Sequence, residues 1–299
     1  MSIRRSSNVS ILAGLVLLLA VPALAGSAAI TNGIDLWRTP GSGGTFVDFA
    51  RQPLPAGFFC AGSAPFTGRV VFTGVPVKTK PASVLREADT VIQRLDDAVF
   101  TKNAAIRPFA LRESNGAVRT VDASSFRGQE VATTRIQVKA ISFASVRPVQ
   151  TGCGAANVTA SLAGEQPITE MVILRDHEGG GRFYAPLSLN VKLTFTPVNG
   201  GAPVEVVKAI RFPAKPLSVW SEATGRRAAY GGFVGIDTSG DGTVDLMLPG
   251  TSNFAAGFKD TPGRDRGAGT KSVAVPYCDS AARDYDAVEC HATTTVATE

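Results

Sequence analysis

The sequence predicts an all-β protein of the antiparallel β-sandwich or jelly-roll type, and three observations support this. Apolar and polar residues alternate over 183–195. A glycine-rich turn and a second alternating run follow directly, at 199–201 and 204–212. Further short apolar segments recur at intervals of about ten residues between Gly, Pro, Asn and Ser clusters, a spacing typical of sandwich folds.

The clearest strand signal lies at 183–195, where every second residue from Phe183 to Phe195 is apolar. A period of two over this length indicates one long strand with one buried face. The following Asn-Gly-Gly at 199–201 tolerates positive φ, which tight hairpin turns require. Because the alternation resumes over 204–212, we predict a β-hairpin here.

A second long strand is predicted over 134–146. Ile136 and Val138 define one face, but Ile141 and Phe143 are out of phase with them by one residue. A β-bulge near Ala140 would restore the phase. Shorter strands are predicted over 34–38, 44–50, 68–74, 107–112, 156–162, 168–175, 230–236 and 243–248.

At most one short helix is expected. Only 82–96 places apolar residues at helical spacing, through Leu85, Val91, Ile92 and Leu95. Residues 90–92 are β-branched, however, and such residues favour strands, so both interpretations of this segment stay open.

The N-terminus has the features of a signal peptide over 1–25. Arg4 and Arg5 precede an apolar run at 11–21, and small residues at 23 and 25 suit a signal peptidase. The run is too short to span a membrane as a helix, and we expect its removal to leave no membrane span. The predicted destination is secreted or periplasmic. Without the leader, 28 basic residues face 25 acidic ones, a balance too even for nucleic-acid binding.

The remaining chain divides by composition into four regions. Residues 26–155 and 156–257 are both β-rich and form either two domains or one continuous sandwich. Residues 258–271 are polar and glycine-rich, as linkers are, and 272–299 form a C-terminal tail.

All four cysteines lie after the leader, which suits an oxidising compartment. Three pairings are possible. We favour Cys60–Cys153 and Cys278–Cys290, because the second pair flanks one short segment and would close the tail into a disulfide-bonded C-terminal hairpin. The alternative is four buried free thiols.

Several segments resemble an uncharacterised family of exported bacterial proteins. They are GIDLWRTPGSGGTFVDF at 33–49, PLPAGFF at 53–59, PFTGRVVFTG at 65–74, DTVIQRL at 89–95 and QPITEMVI at 166–173. The resemblance implies an exported, β-rich protein, and it implies no activity, ligand or functional residue. Some family members end in a surface-sorting tail; because this sequence shows none, we expect release rather than anchoring.

The segment 237–245 predicts a calcium loop. Oxygen ligands come from alternate positions 1, 3, 5, 7 and 9, which are Asp237, Ser239, Asp241, the carbonyl of Thr243, and Asp245. Gly242 occupies position 6, where such loops turn sharply, and the pattern resembles EF-hand and dockerin loops. Ser239 replaces an acid or amide, Leu248 replaces the final Glu, and the flanks read as strands. The competing interpretation is a metal-free Asp/Gly turn.

The sequence favours a non-catalytic, structural or ligand-binding protein. Its two histidines, His177 and His291, lie in predicted loop or tail positions, and no nucleophile elbow is present. The alternative is a carbohydrate-binding module or a carboxylate-dependent glycoside hydrolase, with a carbohydrate or surface partner. Aromatic residues would form either a sugar platform or, as we favour, the core. They are Trp37, Phe46, Phe49, Phe58, Phe59, Trp220, Tyr230 and Phe233.

Overall fold

The structure, a computed structural model, describes most of the chain between residues 28 and 256 and two short C-terminal strands. The described residues are 28–37, 45–80, 88–113, 117–212, 214, 219–222, 230–239, 241–256, 275–278 and 288–293. The predicted signal peptide, the predicted linker and most of the C-terminal tail lie outside them. Within the described residues, no helix is long and apolar enough to cross a membrane.

The predicted all-β fold is confirmed, since the described residues form strands and one short 3-10 helix, Ala123–Phe126. The strands are β1 (Ala29–Ile30), β2 (Gly33–Trp37), β3 (Thr45–Asp48), β4 (Arg69–Gly74), β5 (Lys78–Lys80), β6 (Thr90–Arg94), β7 (Ala98–Val99), β8 (Thr101–Lys102), β9 (Phe109–Arg112), β10 (Val118–Val121), β11 (Glu130–Ile141), β12 (Phe143–Ser145), β13 (Val149–Thr151), β14 (Gly154–Leu162), β15 (Ile168–His177), β16 (Gly180–Tyr184), β17 (Leu187–Pro197), β18 (Val204–Phe212), β19 (Val219–Glu222), β20 (Val234–Asp237), β21 (Leu246–Leu248), β22 (Phe254–Ala256), β23 (Val275–Cys278) and β24 (Val288–Thr293).

Two large sheets organise these strands. We call the first the inner sheet; its order is β2-β6-β11-β15-β16-β19-β22, with β8 beside β11. The second, the outer sheet, has the order β23-β24-β18-β17-β14-β12-β4-β3, with β13 beside β14. The named strands pair antiparallel, except that β24 runs parallel to β18. Each large sheet takes strands from both sides of residue 155.

The main core lies between the two sheets, as in a β-sandwich. The inner sheet contributes buried side chains that include Ile92, Ile136, Ile173 and Phe183. The outer sheet contributes others that include Phe72, Val158, Leu193 and Phe195. Because strands far apart in sequence share this core, the two sheets are stabilised together.

The other face of the inner sheet is also covered. A small sheet of β5, β20 and β21 packs on one part of it, where Val234 and Ile236 meet Ile34 and Val91. The hairpin of β9 and β10 and the 3-10 helix cover another part, and their residues Leu111, Val121 and Phe126 join Val131 and Leu174 in a separate cluster. The inner sheet is therefore covered over much of both faces.

The predicted hairpin is confirmed, but its first strand begins later than the alternation suggests. β17 pairs with β18 from Leu187↔Phe212 to Phe195↔Val204. Phe183 and Tyr184 belong instead to β16 of the inner sheet, and the chain changes sheets at residues 185–186. Pro186 cannot donate a ladder hydrogen bond, which suits this break. The alternation continues across the break because the apolar residues of both strands face the same core.

The predicted bulge is confirmed, but the predicted single strand over 134–146 is wrong, because β11 ends at Ile141 and Phe143–Ser145 form β12 of the outer sheet. The register between β11 and β6 shifts between Val138 and Ala140. The extra residue lets Ile136, Val138 and Ile141 all reach the main core despite their change of phase. Ala140 joins the cluster on the opposite face.

The segment 82–96 is not a helix where the structure describes it. Residues 90–94 form the strand β6, in agreement with the preference of the β-branched residues 90–92 for strands. Residues 82–87 lie outside the described part of the chain. The single described helix lies elsewhere, at Ala123–Phe126. The Asp122 side chain caps it by accepting a hydrogen bond from the Ser124 N–H (3.0 Å).

The first and last strands of the inner sheet meet. The Ile34 N–H donates to the Gly250 carbonyl (2.9 Å), and the Ser252 N–H donates to the Ile34 carbonyl (3.1 Å). Gly33 makes this approach possible, because it has φ +132° and a Cβ there would lie 2.4 Å from the Gly250 oxygen. Residues 250–252 thus close the inner sheet.

The C-terminal strands β23 and β24 form an antiparallel pair. Their backbone register sets Cys278 opposite Cys290. The side chains of these strands lie outside what the structure describes, so the Cys278–Cys290 disulfide stays a prediction.

Candidate functional site

The acidic loop 237–245 joins β20 to β21 and is the candidate functional site. Both flanking segments are strands, as the sequence predicts, and they pair from Val234↔Leu248 to Ile236↔Leu246. Val234, Ile236 and Leu248 are buried against the inner sheet. The core therefore anchors both ends of the loop. Residues 239 and 241–243 within it are exposed, and Gly240 lies outside the described residues.

Asp237 organises the inside of this loop. Its side chain is buried, with 5% of the residue exposed. Its Oδ2 accepts a hydrogen bond from the Gly242 N–H (2.7 Å), and its Oδ1 accepts one from the Ser239 hydroxyl (3.2 Å). Gly242 has φ +95°, a conformation that favours glycine, so the sharp turn expected at position 6 is present.

The other two carboxylates accept hydrogen bonds at opposite ends of the loop. Asp245 accepts from the Thr238 N–H (3.0 Å), the Thr238 hydroxyl (2.9 Å) and the Ser239 N–H (3.1 Å). The Asp241 Oδ1 accepts from the Thr243 N–H (2.7 Å). Donors from the loop itself thus hold the negatively charged groups in place.

The donor set suits a hard cation, because every predicted ligand is an oxygen. Among the described residues, however, no three His, Cys, Asp or Glu side chains are grouped so that they could hold a metal ion. Asp241 is exposed and its carboxylate accepts from the Thr243 N–H, whereas Asp237 is buried. A calcium ion would have to draw Asp241 toward the other two carboxylates, and the calcium site stays a prediction.

Exposed apolar side chains lie on and next to the β20–β21 hairpin, with Tyr230 and Phe233 at the end opposite the acidic loop. Phe233 is 71% exposed, Met247 is 59% exposed and Tyr230 is 38% exposed. Val244 and Met247 lie over Gly235, where a Cβ would be only 2.8 Å from Val244 and 3.1 Å from the Met247 sulfur. Tyr230 and Phe233 were recognisable from the sequence as aromatics near the loop. Met247 was not, because it lies in a run of three apolar residues.

The remaining predicted aromatics belong to the core. Trp37, Phe46 and Phe49 are buried, and Phe58 and Phe59 are half-buried against them. Trp220 is also buried, and its indole N–H donates to the Leu174 carbonyl (3.0 Å). These side chains pack the sandwich and form no surface platform.

A buried ion pair lies in the core near the closure of the inner sheet. The Arg94 guanidinium donates to the Asp35 carboxylate, and neither side chain is exposed. The Ser252 hydroxyl also donates to Asp35 (2.5 Å), and Arg94 lies 4.8 Å from the centre of the Phe254 ring. Burial raises the pKa of Asp35, opposed by the Arg94 charge and the Ser252 hydrogen bond. Sequence reasoning missed this pair, since the residues around Asp35 and Arg94 do not distinguish them from solvent-facing charges.

The described cysteines form one disulfide, Cys60–Cys153, with a Cα–Cα distance of 6.1 Å. It is one of the two pairings that the sequence favoured. Both residues are exposed, and the bond joins the β3–β4 connection to the turn between β13 and β14.

His177 lies where β15 ends. It is exposed, and its Nδ1 lies 3.0 Å from the carbonyl oxygen of the neighbouring Glu178. This agrees with a loop-end residue. The side chain of His291 lies outside the described part of the chain.

Comparison of the chain with protein-family models, with curated proteins and with solved structures finds no match. Any functional assignment therefore depends on this chain's own residues, and the acidic loop is the most specific of its features.

Proposed function

We propose that this protein is an exported, non-catalytic β-sandwich module with a structural or ligand-binding role, and that its 237–245 loop takes one stabilising calcium ion. The observation that carries the proposal is the loop's construction. Three carboxylates, one hydroxyl and one backbone carbonyl share a nine-residue loop whose two ends are fixed in the core. Oxygen-rich loops on rigid strands are a common form of extracellular calcium site.

The ion would act mainly as a structural clamp. Asp237, Asp241 and Asp245 would share it with Ser239 and the Thr243 carbonyl. Three carboxylates in nine residues repel one another, and a divalent cation removes that repulsion. Each carboxylate has more acceptor positions than the loop's own N–H donors occupy, so the turn hydrogen bonds can persist with the ion bound.

Thermal unfolding of the mature protein in EDTA and in millimolar calcium tests this proposal. Calcium at 100 times its dissociation constant is expected to stabilise the fold by about 2.7 kcal/mol. Asp241→Asn is the informative variant, because it keeps an acceptor for the Thr243 N–H and removes only charge. We expect its unfolding in EDTA to match the wild type and its response to calcium to be lost.

The control is Asp97→Asn, since Asp97 is an exposed carboxylate outside the loop that also accepts a backbone hydrogen bond, from Asn32 (2.6 Å). It is expected to keep the full calcium response. Identical wild-type melting curves with and without calcium would contradict the metal proposal and leave a metal-free Asp/Gly turn.

Carbohydrate binding is a second candidate, and the exposure of Phe233 and Tyr230 on the surface favours it. Exposed aromatic rings can stack on the C–H faces of sugars. Binding to a panel of insoluble polysaccharides should then weaken in Phe233→Ala. Val207→Ala, at another exposed apolar position on the outer sheet, should leave it unchanged. Equal binding by both variants would remove this candidate.

A further inference from the structure

We propose that residues 55–65 form a redox-sensitive lid, which the Cys60–Cys153 disulfide locks over the aromatic end of the main core. Reduction of this bond is inferred to release the lid and to uncover apolar aromatic surface while the rest of the sandwich stays folded. The inference is independent of the calcium proposal, because the two regions share no residue.

The lid has a defined base. Leu54 and Phe66 pair across it, with the Leu54 N–H donating to the Phe66 carbonyl and the Phe66 N–H donating back, both at 3.0 Å. Leu54 is almost fully buried and Phe66 is 8% exposed, so both ends of the lid are fixed. Movement would therefore be confined to the residues between them.

The lid's backbone is bonded to itself. Within the described residues, its backbone hydrogen bonds run from Phe58 to Pro55 (3.2 Å), from Ser63 to Cys60 (3.1 Å) and from Gly57 to Ser63 (2.9 Å). It is not a strand of either sheet. It can consequently lift without breaking a ladder hydrogen bond of the sandwich.

Aromatic side chains hold the underside of the lid. The Phe59 ring centre lies 5.1 Å from that of Phe195 and 5.6 Å from that of Phe66, and Phe58 lies 6.3 Å from Phe195. Phe195 and Phe49 are fully buried beneath, whereas Phe58 and Phe59 are only half-buried. Lifting the lid would thus expose a phenylalanine surface at the open end of the sandwich.

One lid contact opposes closure. The Ser63 hydroxyl is buried and finds no hydrogen-bond partner among the described residues. A buried hydroxyl without a partner is unfavourable, and opening would return it to water. Ser63 meets the β13–β14 turn at Gly152, where a Cβ would lie 3.1 Å from the Ser63 Cβ, so the turn that carries Cys153 touches the lid directly.

The disulfide is placed where a reductant can reach it. Cys60 and Cys153 are both exposed, and exposed disulfides are in general the labile ones. A dithiol would attack as its thiolate, form a mixed disulfide and then close on itself. Two electrons and two protons pass to Cys60 and Cys153, which become thiols, while the dithiol becomes a cyclic disulfide.

Hydrogen exchange followed by mass spectrometry tests the lid on the whole mature protein, before and after treatment with a dithiol. Amides of 55–65 are expected to exchange at least about tenfold faster once the bond is reduced, while β14 and β17 keep their protection. An apolar fluorescent dye should bind the reduced protein and not the oxidised one. Cys60→Ser/Cys153→Ser should behave like the reduced protein without any reductant.

A matched control is Cys278→Ser/Cys290→Ser, which leaves the 60–153 bond intact and should keep the full response to dithiol. Unchanged exchange in 55–65 after proven cleavage of the bond would overturn the inference. Loss of protection throughout the sandwich would also overturn it, by making the bond a staple of the whole fold. Failure of the dithiol to reduce the Cys60–Cys153 bond in the folded protein would overturn the inference as well.

Discussion

The inner and outer sheets bury their strands in different ways. On the outer sheet, β17 alternates between buried residues such as Leu189 and Leu193 and partly exposed ones such as Lys192, because one of its faces meets water. On the inner sheet, β6 buries Thr90, Val91, Ile92 and Arg94 alike. Strands covered on both faces lose their alternation, and only the half-exposed sheet shows its period in the sequence.

The largest expected loss of folding stability comes from breaking the buried Asp35–Arg94 ion pair of the inner sheet. Asp35→Ala leaves the Arg94 guanidinium buried without a carboxylate, and breaking a buried pair in this way costs about 3–5 kcal/mol. Chemical denaturation of Asp35→Ala measures the loss. In the double variant Asp35→Leu/Arg94→Met no unpaired charge remains, so its loss should be much smaller. Equal losses in both variants would mean that packing, and not charge, sets the cost.

Matched truncations on the two sheets test the comparison directly. Leu174→Ala removes a side chain that is fully buried under the β9–β10 hairpin, and such truncations cost about 2–5 kcal/mol. Val207→Ala, 57% exposed on the water-facing side of the outer sheet, should change stability by less than about 0.5 kcal/mol. Similar values by urea denaturation would show that the hairpin does not seal the inner sheet.

Substitutions at two glycines compare the stability cost of backbone strain alone with that of strain plus a steric clash. Gly200 has φ +88° in the β17–β18 turn with open space around it, and Gly33 has φ +132° beside the Gly250 carbonyl. Gly200→Ala is expected to cost about 1–2 kcal/mol, the strain of a left-handed residue. Gly33→Ala should cost more, because its methyl group also prevents the inner sheet from closing. The difference in melting temperature between the variants measures the closure.

The smallest expected effect is a pH dependence on the outer sheet. Hydrogen bonds from Thr194 and Lys192 hold the pKa of Glu205 below its usual 4.5, whereas burial raises the pKa of Asp35 on the inner sheet. The stabilisation by ionised Glu205 is present above pH 4.5 and is lost as the pH falls through the lowered pKa. Unfolding of wild type and Glu205→Gln should therefore differ above pH 4.5 and converge in acid; a constant difference would contradict this.

The sequence predicts the outer sheet better than the inner one for a physical reason. The hairpin of β17 and β18 follows from apolar periodicity, which reports a face in water. The bulge at Ala140 lies on the inner sheet, and the sequence shows it only as a change of phase among the residues that face the main core. The segment 82–96 was ambiguous because β6 is covered on both sides. The change of sheets at Pro186 left no trace in the periodicity, since both strands supply the same core.

The sequence also predicts some features of the candidate site and its surroundings but not others. The acidic loop and its strand flanks could be located from residue types and spacing alone, because turn chemistry is local. The exposure of Met247, the burial of Asp35 with Arg94 and the lid over Phe195 depend on contacts between residues far apart in the chain. Local patterns carry no information about such contacts.

The closure of the inner sheet sets the order in which this chain can finish folding. Asp35 and Ser252, which the closure brings together, are 217 residues apart. A chain that emerges N-terminus first keeps β2 as an open edge until almost its whole length is available, and open edges invite pairing with other chains. Early folding of the inner sheet is thereby disfavoured. C-terminal truncations before residue 250 should be aggregation-prone, however complete the rest of the sandwich.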